Sequence, residues 1–128
     1  MAIVIPDNTE RLVLSCLLNT DLILHIYSND YTPTESSTTS NFTECSASGY
    51  ASVTLSHLNW TITTDANGTT TATYPTVIFT LTSSTINYGY YVTDTSGNLL
   101  WAERFSDAPH TLPSGGGTEK ITLKIQAD

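Results

Sequence analysis

Apolar residues recur along this chain with two different periods. Over residues 9–18 they fall at helical spacing, with Leu12, Val13, Cys16 and Leu17 following Asp7, Asn8 and Thr9, whose side chains can accept the free N–H groups of a first turn. Glu10 suits the positive end of such a helix. The spacing predicts one short helix that closes near Asn19, within an N-terminal arm and helix of about residues 1–19. Beyond it "LILHIYS" is apolar on both faces apart from His25, the pattern of a strand covered on both sides, with the helix as one possible cover.

Residues 29–41, "NDYTPTESSTTSN", carry Pro33 and many hydroxyls and little to bury, which predicts a long exposed loop. Strand signals then return. The stretch 42–45 is weak, and Ala51, Val53 and Leu55 alternate with polar residues. Leu58, Trp60 and Ile62 do the same, which predicts one buried face. Asn67-Gly68 predicts a type I′ hairpin turn leading to the strand of Val77, Phe79 and Leu81, with Pro75 near its start. In "GYYVTDTSGNLLWAERF" two runs with bulky residues in both phases flank a turn, as in a hairpin at the centre of a sheet. "PHTLPSGGG" reads as a turn. In "EKITLKIQA", Ile121, Leu123 and Ile125 face inward from a last strand. One helix followed by short strands about ten residues apart defines an all-β chain. The pattern predicts an antiparallel β-sandwich or jelly-roll-like barrel in a single domain over 1–128.

Charge removes several partners. Lys and Arg total 4 against 12 Asp and Glu, a formal net charge of −8. Such a field repels nucleic acid and anionic lipid and attracts a basic partner. The N-terminal "MAIVIPDNTERLVLSCLLNTD" lacks a basic n-region and is interrupted by Pro6, Asp7, Glu10 and Arg11, so neither a signal peptide nor a membrane span is expected. Cys16 and Cys45 are then expected as free thiols, acting as small buried hydrophobes. The sequons at Asn41, Asn59 and Asn67 are as many as chance supplies in a chain this rich in Ser and Thr.

Catalytic motifs are missing from the sequence. It holds no G-x-S-x-G, H-E-x-x-H or C-x-x-C, and "SGGG" lacks the lysine of a phosphate loop. His25, His57 and His110 fall on separate elements and read as structural or exposed. "TTDANG" lacks the spacing of a calcium loop. No enzyme activity, metal or cofactor is expected. Glu103 and Arg104 point to opposite faces of one strand and so seek separate partners. Tyr88, Tyr90, Tyr91 and Trp101 read as core, as a sugar-stacking platform or as an oligomer interface.

Taken in order, "LHIYSNDYTPTESSTTSNFTE", "GYYVTDTSGNLLWAERF" and "GGGTEKITLKIQ", following a short N-terminal helix, resemble a group of small virion proteins of tailed bacteriophages, including phages of cyanobacteria. The likeness spans nearly the whole chain and lies in strand and turn residues. It implies a cement or decoration protein on the capsid surface, bound to the major capsid protein, acting as a homo-oligomer with a trimer favoured, and made in the host cytoplasm. Under that resemblance the loop 29–41, the C-terminal tail and the arm "MAIVIP" are candidate contacts. Ile3, Val4 and Ile5 either add a strand to a neighbour or begin the domain's own sheet. Tyr31, Tyr91 and Arg104 complete the candidate interface. The alternative function is a glycan-binding domain of a head or tail fibre, which requires exposed coplanar aromatics.

Overall fold

A computed structural model describes residues 6–127, so Ile3, Val4 and Ile5 lie outside the described residues. The elements are α1 (Asp7–Leu17), β1 (Leu22–Tyr27), β2 (Val53–Leu55), β3 (Thr61–Thr64), β4 (Thr70–Thr73), β5 (Val77–Leu81), β6 (Thr85–Asn87), β7 (Gly89–Thr93), β8 (Leu99–Arg104), β9 (His110–Leu112), β10 (Gly117–Ile121) and β11 (Lys124–Ala127). The fold is all-β, with antiparallel sheets and one N-terminal helix, as the periodicity predicts. The chain clusters into two compact units interleaved along it. One holds the chain up to Asp21, Ser56–Val77 and the chain from Ile121; the other holds Leu22–Leu55 and Ile78–Lys120.

In the first unit α1 packs against the sheet β11-β4-β3. The helix begins two residues earlier than expected. Its first turn is closed by backbone, with the Pro6 carbonyl accepting the N–H groups of Thr9 and Glu10 at 2.9 and 3.2 Å, and not by a capping side chain. Its buried face is Glu10 and Leu14, continued by Leu18, whereas Leu12, Val13 and Leu17 point outward. Cys16 is exposed too, contrary to its expected burial, while Cys45 is buried as expected. The reason lies in the sheet beneath. β3 and β4 are threonine strands, and the Thr70 hydroxyl donates to the Glu10 carboxylate at 2.8 Å, so a polar residue anchors the helix where apolar periodicity pointed elsewhere.

Leu58 also departs from its expected inward position and is 79% exposed. The Asp21 carboxylate accepts both the backbone N–H and the ring Nδ1 of His57, and the Asn59 N–H bonds to the Ser56 carbonyl, so 56–59 forms a turn and β3 starts only at Thr61. The Asn67-Gly68 hairpin forms, but it joins β3 to β4 and not to β5. Only Gly68 has positive φ (+82°), so the turn is type I followed by a left-handed glycine in place of type I′. The Asp65 carboxylate organises it by accepting the N–H groups of Asn67 and Thr69 at 2.8 and 3.0 Å. The expected last strand is two strands, parted at Thr122-Leu123, so that β10 pairs with β5 and β11 with β4.

The second unit is built on the sheet β2-β1-β7-β8. β7 lies between β1 and β8 with all five residues buried, the central position its sequence predicts. The β7–β8 turn repeats the Asp-x-x-Gly design: Asp94 accepts the Ser96 and Asn98 N–H groups at 2.9 Å, and these bonds hold its carboxyl below the usual range, the Asn98 side chain contributing most. The stretch 42–45 contributes a single bridge, Tyr27 to Glu44. "PHTLPSGGG", expected as a turn, holds β9, which pairs with β6.

Candidate functional site

Three of the expected interface residues fall in the described chain, and the structure separates them. Tyr91 is only 6% exposed, so the sequence expectation that it faces a neighbour gives way to a core role. On β7 it meets His25 on β1, and the register aligns them as cross-strand partners with rings stacked at 4.5 Å. Its other face stacks on Phe42 at 4.6 Å, and Tyr27 joins this cluster. Burial, with the Glu44 charge adding to it, pushes the Tyr91 phenol up to about 12. Burial does the same to Tyr27, also to about 12.

Tyr31 and Arg104 come together at the outer side of this cluster. Tyr31 sets its ring edge-on to Phe42 at 5.3 Å, and its carbonyl accepts the Tyr27 hydroxyl at 2.9 Å. Arg104, at the end of β8, bonds Asp30 at 2.7 Å and lies over the Tyr88 ring at 5.2 Å. The loop 29–41 is therefore tied down, against its expected lack of anything to bury. Asn29 bonds the Asn41 carbonyl and the Thr43 N–H, and the Tyr31 hydroxyl meets Ser37 Oγ at 2.6 Å. Its hydroxyls serve as the loop's own scaffolding.

That scaffold forms one wall of a cleft of about 490 Å³. Pro33, Thr34, Glu35 and Ser37 line one side and Leu99, Leu100, Trp101 and Ala102 the other. The size falls within the range of ligand-binding clefts. Trp101 also bonds the Tyr90 side chain, which in turn bonds Glu103; burial and the Glu103 charge push the Tyr90 phenol upward.

Two polar networks escape the sequence. In the first, Thr93 Oγ1 lies 2.9 Å from His25 Nε2, and His25 Nδ1 lies 2.8 Å from the Glu44 carboxylate, which also accepts the Tyr50 hydroxyl at 2.6 Å. The connectivity is that of a nucleophile, a base and an orienting acid. Thr93 is 4% exposed, however, so its hydroxyl offers a substrate carbonyl no approach, and the network ties β1, β7 and the 42–45 stretch together. In the second, buried Glu119 accepts Asn87 Nδ2 at 3.0 Å and meets His110 Nδ1 at 3.0 Å, while His110 Nε2 bonds Asp107 and the ring stacks on Phe105 at 4.3 Å. Its signal was present in the chain: Glu119 shares the inward phase of Ile121 and Leu123. Among the described residues no group of three or more His, Cys, Asp or Glu is placed to hold a metal ion, and no helix is long and apolar enough to cross a membrane.

On the first unit α1 presents an uncovered aliphatic surface. Leu12, Val13 and Leu17 are 61%, 57% and 38% exposed, and with Cys16 they fall within about 140° of helical arc at 100° per residue. Comparison with protein-family models, curated proteins and solved structures finds no match for this chain.

Proposed function

We propose that this chain is a structural protein of a phage virion, a cement or decoration protein that binds the major capsid protein shell. The observation that carries the reading is the outward aliphatic face of α1. A helix that buries Glu10 and turns Leu12, Val13 and Leu17 to the outside has the polarity expected of a surface that docks onto another protein. The acidic body selects a basic counterpart and disfavours nucleic acid. The likeness of its strand and turn segments to small virion proteins supplies the setting. Weak contacts of this kind gain strength when symmetry repeats them, and self-association as a trimer belongs to the same proposal.

The test is co-sedimentation of the purified protein with bare capsids across a salt series. Saturable binding at a fixed ratio to coat protein, weakened by salt, supports the reading; no binding at any salt overturns it. Of the aromatic group, Tyr90 and Tyr91 are each 6% exposed and offer the glycan-binding alternative no stacking surface, while Trp60 and Trp101, whose burial would count against it, are half-buried.

A further inference from the structure

We propose that the cleft along the outer edge of β8 receives an extended, basic polypeptide segment as an added β-strand. β8 ends the sheet β2-β1-β7-β8, so one side of its backbone has no partner strand among the described residues. The register identifies which groups face out. The Phe105 N–H donates to the Tyr88 carbonyl at 2.9 Å, and in an antiparallel pair successive residues alternate between facing the partner and facing away. Phe105, Glu103 and Trp101 therefore turn their backbone groups toward β7, while Arg104 and Ala102 turn theirs outward.

The cleft borders this strand. Its lining includes four consecutive residues, Leu99 to Ala102. The β7–β8 register slips between Val92 and Thr93, so a bulge lies within this run and its side chains do not alternate strictly; Leu99 and Ala102 both pack toward the Tyr27, Phe42 and Tyr91 cluster. The lining reaches Ala102, whose backbone N–H and C=O turn away from β7 and meet no partner strand among the described residues. The opposite wall is fixed, since Ser37 Oγ accepts the Thr34 N–H at 2.8 Å and holds the Tyr31 hydroxyl. Backbone bonds to Ala102 would supply affinity, and Leu99, Leu100 and Trp101 select aliphatic side chains at alternate positions.

Charge chooses the occupant. Glu35 lines the cleft and Glu103 stands exposed on β8, whereas the nearby Arg104 is already paired with Asp30. A segment bearing Lys or Arg is drawn in by these carboxylates and by the net charge of −8. The inference rests on the protein-binding role proposed above only for who supplies that segment.

The test uses the whole protein and three labelled octapeptides: alternating Lys and Val, alternating Glu and Val, and the Lys/Val peptide with alternate backbone nitrogens methylated. Binding is read by fluorescence anisotropy and by exchange of the Ala102 amide. The expected result is saturable binding of the Lys/Val peptide, at least tenfold tighter than the Glu/Val peptide, with slowed exchange at Ala102 and loss of binding on methylation. Glu35→Lys should reverse the charge preference. Ala102→Pro, which deletes an outward N–H at an edge where proline is tolerated, should abolish binding. The methylated peptide asks the same question from the ligand side if that variant does not fold. No saturable binding, equal binding of the methylated peptide, or occupation by a neutral oligosaccharide without protection of Ala102 would each overturn the inference. Capsid shells separate it from the wider role: shells that still bind Ala102→Pro protein overturn the cleft's part and leave the decoration reading standing, whereas peptide binding without shell binding does the reverse.

Discussion

His110 Nδ1 lies 3.0 Å from the carboxylate of Glu119, an acid whose side chain is 5% exposed and which also accepts a hydrogen bond from Asn87. Burial of the imidazole lowers its pKa, but the hydrogen bonds and charges of Asp107 and Glu119 outweigh burial and raise it above the usual 6.5. A raised folded-state pKa stabilises the fold fully below the unfolded value and loses that contribution as pH climbs through the folded one. Urea midpoints should therefore fall between pH 6 and pH 8, where histidines are the side chains that titrate at ordinary pKa. His110→Gln should flatten that slope, and an unchanged slope in the variant would refute the assignment.

Thr70 and Glu10 make a separate case, because both are buried and the Thr70 hydroxyl, which also meets Thr64 Oγ1 at 2.9 Å, donates to the Glu10 carboxylate. Thr70→Val keeps the shape and removes the donor, leaving the carboxylate short of a partner. A loss of about 1–3 kcal/mol is expected by urea denaturation. Loss of helix signal ahead of sheet signal would further show that this bond holds α1 to β4.

Gly89 tests packing at the centre of the second unit. A Cβ there would stand 2.3 Å from the Glu103 carbonyl oxygen and 2.6 Å from the Tyr27 hydroxyl, whereas one at Gly115 would meet nothing within 4 Å. Gly89→Ala should cost roughly 3 kcal/mol, in the range of overpacked cores. Gly115→Ala serves as the near-neutral control, and equal effects at the two positions would contradict the packing.

The aliphatic face of α1 should matter for binding and not for folding. Leu12→Gln with Val13→Gln leaves net charge unchanged and touches no buried side chain, so stability should move by less than about 1 kcal/mol. Shell binding should fall at least tenfold in the co-sedimentation assay. Full binding by this variant would remove the observation on which the decoration reading stands.

Strand periodicity carried most of the fold into view. The β7–β8 hairpin was legible because bulky residues fill both phases around an Asp-x-x-Gly turn, and β1 because it is apolar on both sides. α1 was legible as a helix but not by its buried face, since Leu12, Val13 and Leu17 imitate a core stripe while a buried Glu10 bonds a threonine sixty residues away. A pattern of apolar residues cannot report a hydrogen bond of that sequence separation. β6 and β9 were hidden for another reason: three residues each, anchored by the polar pair Asn87 and His110, they bury too little apolar surface to show a period. At the candidate site, Tyr31 and Arg104 were named from the sequence, but the edge of β8 was not. Which strand ends a sheet is decided by pairing order, and no residue of "LLWAER" announces it.

The break at Thr122-Leu123 bears on how the chain is made. β11 is the neighbour of β4 in the sheet beneath α1, so the first unit is complete only when residue 127 has left the ribosome, although its helix emerged more than a hundred residues earlier. Throughout that interval Leu14 and Leu18 lack part of the sheet that buries them. Partners so distant along the chain also make loop closure slow. The nascent chain thus carries an incompletely covered helix until its last strand is made, and chaperone contact during translation should concentrate there.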